Sequence, residues 1–157
     1  MTIRRAQAMD LEGLNRLLYQ VENVHRQGRP DLFKLHEKKY TDEELLALIE
    51  DDSRPIFVCT DEKDFVCGYA FCIFEDHTPD HAMTDHVSLY IDDLCVDETM
   101  RGRQIGREIY RYVKEFAREN GCYNITLNVW ECNPAARSFY ESCGLKPLKT
   151  GMEDVLR

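Results

Sequence analysis

Between Tyr90 and Arg107 the chain places an apolar-rich run, Tyr90-Ile-Asp-Asp-Leu-Cys-Val96, ahead of Arg101-Gly-Arg-Gln-Ile-Gly-Arg107 and a long amphipathic stretch. The first reads as a strand and the last as a helix, so the arginine-glycine segment lies at a helix start. Such a start leaves about four backbone N–H groups unpaired and carries roughly half a positive charge, which is the chemistry of a phosphate cradle. Gly102 and Gly106 let the backbone come close to a bound anion. Arg101, Arg103 and Arg107 have no acidic residue among them, in a chain of formal charge -9. Positive charge is concentrated where the N–H groups point.

A second chemical feature has the opposite sign. From Glu75 to Glu98 there are eight acidic residues and no Lys or Arg. This run reads either as a solvated loop or as a negative potential that attracts a cationic amine. His77, His81 and His86 lie within it beside aspartates, but their spacing fits no established metal motif, and no metal is expected. The seven cysteines, at 59, 67, 72, 95, 122, 132 and 143, are odd in number and contain no Cys-x-x-Cys pair. That argues against a disulfide framework and a zinc ribbon, and for reduced, mostly buried thiols. The acidic balance disfavours nucleic acid, whose phosphates are bound through Lys and Arg. No apolar run is long enough for a bilayer and no signal-peptide core follows Thr2-Ile-Arg-Arg, so a cytoplasmic location without membrane association is expected.

The elements that must position these groups are legible in outline. The 157 residues, 43% hydrophobic and 31% charged, suit one domain spanning 1-157. A strand over 2–7 is followed by Asp10 as helix cap, with Leu11, Leu14, Leu17, Leu18, Val21 and Val24 on a 3.6 period. Arg29-Pro30-Asp31 breaks that helix. Thr41-Asp-Glu-Glu44 has capping-box spacing before Leu45, Leu46, Leu48 and Ile49. Residues 56–60 and 65–74 read as an antiparallel hairpin, and 87–96 as the next strand. A helix from about Gln104 to Asn120 ends at Gly121, residues 124–130 alternate as a strand, and Asn133-Pro134 opens a short helix closed by Gly144. The tail from Leu145 to Leu156 can form one more strand. No repeat or linker interrupts this βααβββαβαβ order.

Two separated segments, the cradle and Asn133-Pro-Ala-Ala-Arg-Ser-Phe-Tyr140-Glu-Ser-Cys-Gly144-Leu, together resemble the GNAT superfamily of acetyl-CoA-dependent N-acetyltransferases. The order of elements resembles that family along nearly the whole chain. The resemblance implies an α/β (α+β) single domain with a central mixed, mostly antiparallel sheet flanked by helices, and acetyl-CoA as cosubstrate. It implies that the backbone of Leu94, Cys95 and Val96 pairs with the pantetheine arm and that Arg101, Gly102, Arg103, Gln104, Ile105, Gly106 and Arg107 hold the pyrophosphate. Asn133 would contact the pantetheine or anchor the turn, with Ala136 beside it, and Tyr140 would point at the sulfur. Gln104 replaces the first glycine of the family pattern. A helical backbone angle suits glutamine, so a small local adjustment is expected there.

Forming an amide from a thioester requires a neutral amine, a stabilised oxyanion and a proton for the departing thiolate. The resemblance assigns the oxyanion to the backbone N–H of Leu94 and the thiolate to Tyr140, which is otherwise a core aromatic. Asp92 and Asp93 lie nearest in sequence to that place. Successive strand residues alternate, so one of them faces the acceptor. The Asp-Asp-Leu portion resembles polyamine acetyltransferases and favours Asp92 as base, the alternative being a salt-bridged carboxylate. The expected reaction is direct transfer in a ternary complex to a small primary amine, with a homodimer plausible for the family. A peptide or protein acceptor, or a non-catalytic acyl-CoA sensor module, are the competing readings.

Overall fold

Side-chain alternation along one long hairpin divides the molecule into two cores. A computed structural model describes residues 1–35 and 37–157. Its strands β1 (Thr2–Arg5), β2 (Ile56–Thr60), β3 (Val66–Asp76), β4 (Val87–Val96) and β5 (Asn124–Leu127) lie in sequence order in one sheet. The first four pair antiparallel and β5 joins β4 in parallel. The mixed, mostly antiparallel sheet is as expected from the sequence.

On one face Val58, Tyr69, Phe71 and Cys95 pack against Leu14, Leu17 and Leu18 of α1 (Leu11–Gly28) and against Leu45 and Ile49 of α2 (Asp42–Ile49). On the other, Phe57, Ala70, Cys72, Leu89 and Ile91 pack against Ile105, Ile109, Val113 and Ala117 of α3 (Ile105–Glu119). Each fully buried Leu or Ile contributes about 1.5–3 kcal/mol, so these two layers fix the sheet between its helices. Gly68 sits where β3 passes closest to both β4 and α3. A Cβ there would lie 2.8 Å from the Cys95 carbonyl oxygen and 2.8 Å from Ile109 Cδ1. Backbone cannot yield as a side-chain tip does, so Gly68→Ala is expected to destabilise the fold by about 1–3 kcal/mol, read as a lowered urea midpoint.

Local signals behave as their chemistry dictates. The Thr41 hydroxyl accepts from the Glu44 N–H (3.1 Å) and the Glu44 carboxylate from the Thr41 N–H (3.2 Å), closing the capping box. Asp10 departs from expectation. A 3-10 turn, Ala8–Asp10, precedes α1, and the Asp10 carboxylate takes the Arg4 guanidinium in a two-pronged pair (2.7 and 2.9 Å) together with the Gln7 N–H (2.8 Å). Both carboxylate oxygens are taken by these donors, and the side chain makes no capping bond to α1. The tail also differs: among the described residues no strand follows α4 (Pro134–Ser142), and β5 stops at Leu127 rather than Trp130.

Candidate functional site

The site begins with one extra residue in β4. Phe71 opposes Asp93 and Cys72 opposes Ile91, which leaves Asp92 as a β-bulge. A bulge bends its strand and re-aims side chains. Here it turns both carboxylates toward the α1–α2 face. Asp93 accepts from the Tyr69 hydroxyl (2.6 Å), whereas Asp92 takes the Lys39 ammonium (2.5 Å) and lies 3.4 Å from the Tyr40 hydroxyl. The expectation that alternation puts the two on opposite faces is therefore corrected.

The same bend opens the sheet. Parallel pairing of β4 with β5 ends at Ile91 and Leu127 while β4 continues to Val96. Beyond the split, the β5-facing edge of Asp92, Asp93, Leu94, Cys95 and Val96 has no strand partner among the described residues. An extended ligand carrying amides fits such an edge, because it supplies the ladder that β5 no longer does.

Past Val96 the chain turns on Asp97, a residue the sequence reading passed over. Its buried carboxylate accepts from the Thr99 N–H (2.9 Å) and hydroxyl (2.6 Å), from Arg16 Nε (3.2 Å) and from Gln20 Nε2 (3.3 Å), while its own N–H donates to the Cys67 carbonyl (2.8 Å). Burial opposes the charge, but these donors together hold the Asp97 pKa below its usual value. The Asp-x-Thr turn signature was available in sequence. This anchor sets the loop that carries Arg101, Gly102, Arg103 and Gln104, all exposed, to the start of α3.

Gly102 and Gln104 both adopt left-handed backbone, at φ 81 and φ 63. For Gln104 this overturns the expected helical angle: the position demands what glycine gives freely, and glutamine holds it under strain. Gln104→Gly is therefore expected to raise stability by about 0.5–1 kcal/mol, the relief of strain exceeding the added unfolded-state entropy, with the thermal midpoint as readout. Glu108 makes the first intrahelical bond, to the Gln104 carbonyl (3.0 Å). The N–H groups of Ile105, Gly106 and Arg107 precede it and have no intrahelical acceptor. A Cβ on Gly106 would approach the Phe139 ring to 3.2 Å, so glycine there lets α4 close against α3. The Arg107 guanidinium bonds the Ser142 hydroxyl (3.0 Å) and carbonyl (3.3 Å), joining α3 to α4 instead of lining the cradle.

Helix α4 brings Tyr140 to this junction. Asn133 caps it, its side chain accepting from the Ala136 N–H (3.1 Å), with Pro134 in the first turn. Of the two roles expected for Asn133, anchoring the turn is the one these contacts display. Tyr140 is half-buried beside Phe139, with ring centroids 5.2 Å apart. Burial and then the Asp93 charge push its pKa upward, so the phenol stays protonated. Burial likewise raises Asp93 to about 6, against the opposing Tyr69 hydroxyl and Lys39 charge. Cys95 is pushed up to about 12, first by burial and then by Asp93, which leaves it a poor nucleophile.

The histidine loop and several aromatic residues lie elsewhere. The loop from His77 to His86 closes the far end of the β3–β4 hairpin, with the two His rings stacked at 4.3 Å. The acidic run is thereby divided, and only its second half reaches the bulge. No cluster of metal-ligating side chains occurs among the described residues. His25, Phe33 and Trp130 form an aromatic group linking α1 to the segment after β5. Arg29 pairs with Asp31, and Tyr90 accepts from Asn128 (3.1 Å). Among the described residues no helix is long and apolar enough to cross a membrane.

Comparison with known proteins bears on this geometry. The model of the Acetyltransferase (GNAT) family matches residues 18–145. A point mutant of the BH1408 protein of Bacillus halodurans superposes with TM-score 0.95 at 31% identity, covering 100% of both chains. The chain is 25% identical over 114 residues to the glucosamine 6-phosphate N-acetyltransferase of Arabidopsis thaliana, 69% of this chain and 62% of that protein. It is 33% identical over 61 residues to the thialysine N-epsilon-acetyltransferase of Bos taurus, 39% of this chain and 36% of that one. It thus spans less than two thirds of the length of these curated relatives.

Proposed function

Because the chain belongs to the acetyltransferase (GNAT) family, we propose that it is an enzyme that transfers the acetyl group of acetyl-CoA to the primary amine of a small molecule. The observation that carries this reading is the open edge of β4. It runs from the acidic bulge, with its buried Asp93, to the left-handed turn and the N-terminus of α3, and the Asp93 charge is felt at Tyr140. The residues fit acetyl-CoA at both ends: unpaired backbone for its amides, and N–H groups with Gly102 and Gly106 for its phosphates. When bound, it supplies the activated acetyl group.

The protein's own groups divide the remaining work. The Leu94 N–H is the oxyanion donor, and Tyr140 donates a hydrogen bond to the departing sulfur. The acceptor's proton goes to the acidic pair. Asp92 is the member the sequence favours, whereas Asp93, with a pKa of about 6, is the better matched base near neutral pH. Lys39 already occupies Asp92. Transfer is direct, since burial holds Cys95 as a thiol and, among the described residues, no His bonds to it. A small cationic acceptor suits the two carboxylates, and the named substrates of the relatives, glucosamine 6-phosphate and thialysine, both offer primary amines.

Thiol release with acetyl-CoA over polyamines, thialysine, glucosamine 6-phosphate and a peptide panel, beside calorimetric titration of acetyl-CoA, tests the proposal. Turnover is expected with a small amine. Turnover on peptides alone would transfer the enzyme to the protein-acetylating reading. Acetyl-CoA binding without turnover on any amine would make it a sensor module.

A further inference from the structure

The acidic bulge shares its face of the sheet with two cations. The Lys39 ammonium, ahead of α2, sits on Asp92 (2.5 Å) and 5.5 Å from the centre of the Tyr40 ring. Burial opposes the charge on Lys39, but the Asp92 bond and charge outweigh it and hold the pKa above its usual value, so the group stays an ammonium. Arg54, ahead of β2, is the second cation. The N–H groups of Cys72 and Phe74 donate to the Pro55 and Ser53 carbonyls (2.9 and 3.0 Å), which sets Arg54 opposite Ile73. Ile73 pairs with Tyr90 and Tyr90 with Thr126, so one half-buried row crosses the sheet. Arg54 and Ile73 line a small cavity together with Tyr40 and Asp92, which places Arg54 beside the Lys39–Asp92 pair. Its Nε is buried without a hydrogen-bond partner among the described residues. None of the ion pairs among those residues involves it.

We propose that Lys39 and Arg54 form an anion subsite for the acceptor, selecting a primary amine that also carries a carboxylate or a phosphate monoester. The inference rests on the acetyltransferase reading and names the class of its acceptor. Binding is an exchange of partners. The acceptor's ammonium approaches the acidic pair, Lys39 turns from Asp92 onto the acceptor's anion, and the Arg54 guanidinium closes on the same group. The Lys39 side chain is 46% exposed, so it makes that move by rotating its own bonds, whereas Asp92, at 18%, stays in place. An amine without an anion meets the opposite situation. It must displace Lys39 from Asp92 and leave two cations side by side with no counterion, in a half-buried place where salt screens little. With both carboxylates ionised the four groups sum to zero charge, which matches an acceptor bearing both signs better than one bearing only positive charge.

Two matched pairs of amines test this through kcat/KM with acetyl-CoA: ornithine against putrescine, which differ by one carboxylate, and glucosamine 6-phosphate against glucosamine, which differ by one phosphate. In at least one pair the anion-bearing member is expected to be favoured by about tenfold or more, and the pair that shows it tells carboxylate from phosphate. Lys39→Ala and Arg54→Ala should each cut that preference by about fivefold or more, mainly through KM. Lys39→Ala should at the same time raise kcat/KM for the anion-free partner, because Asp92 is released to it. Lys39→Arg, which keeps the charge, should retain part of the preference. Opposite movement of the two substrates is a result that damaged folding cannot give, since loss of active protein lowers both. Equal kcat/KM within both pairs, or a preference that survives both alanine variants, would overturn the subsite and leave acetyl transfer standing. Turnover of peptides alone, or of no amine at all, would instead defeat the small-molecule reading, and the subsite with it.

Discussion

Asp93→Asn is expected to lower kcat/KM toward the acceptor amine by about 100-fold or more and to flatten the rise of rate with pH. The acceptor amine sets the free-energy gap. An alkylamine of pKa near 10 is almost wholly protonated at neutral pH, and making it nucleophilic costs about 4 kcal/mol unless a base takes the proton. Asp93 is held by the Tyr69 hydroxyl at 2.6 Å and raised by burial to about 6. A base of that pKa is deprotonated above pH 6 and still basic enough to matter there. The wild-type rate should therefore climb through about pH 6 and level off. Asp92→Asn distinguishes the two carboxylates: if Asp92 is the base, it is this variant that loses the pH dependence. If Asp92 only holds Lys39, its replacement changes KM and leaves the profile in place.

The same shift makes a statement about stability whose sign differs from the usual carboxylate case. The folded pKa of Asp93 lies above the unfolded value of about 3.9. Between those values the folded state keeps a proton that the unfolded state has released. Asp93 thus contributes stability that is complete below about pH 4 and lost as pH rises through about 6. Asp93→Asn removes this loss, so the urea midpoints of variant and wild type should diverge over that window. A variant that loses activity while gaining stability near neutrality is a group retained for chemistry rather than for folding.

How much of this was legible before the structure depends on the range of the interaction that fixes each residue. The Thr41 box and the Asn133-Pro134 cap close within four residues, and their side chains declare them. The start of α3 was legible for the same reason, since the glycines and arginines ahead of it are a local pattern. The bulge was not. It arises from the register of β3 against β4, and no residue type in Tyr90-Ile-Asp-Asp-Leu announces that Asp92 is extra. Tyr69, which orients Asp93, and Ser142, which draws Arg107 away from the cradle, are partners only once the chain has folded. Gln104 misled because glutamine is a good helix former, whereas the turn geometry demands a left-handed residue ahead of α3. The tail misled as well: Leu145 to Leu156 reads as a strand, yet among the described residues no strand follows α4, because propensity alone supplies no partner edge.

Tyr140→Phe is expected to lower kcat by about 10-fold or more while leaving acetyl-CoA affinity and folding intact. A full proton transfer from this residue is unfavourable. A tyrosine of ordinary pKa near 10 already costs roughly 2 kcal/mol to deprotonate toward a thiolate of about 8.5. Burial and the Asp93 charge raise Tyr140 further. On the proposed mechanism the phenol stays protonated and donates a hydrogen bond as charge builds on sulfur, an interaction stronger in the transition state than before it. The loss should accordingly appear in kcat, with calorimetric binding of acetyl-CoA unchanged. It should also depend on the leaving group: an acetyl thioester of a more acidic thiol needs less help, so the variant should recover part of its rate with such a donor. Equal losses with both donors would remove Tyr140 from the departure of the thiolate and leave it as packing beside Phe139. Because Asp93 and Tyr140 interact electrostatically, Asp93→Asn should make the phenol more acidic, and the two substitutions together should cost less than the product of their separate effects.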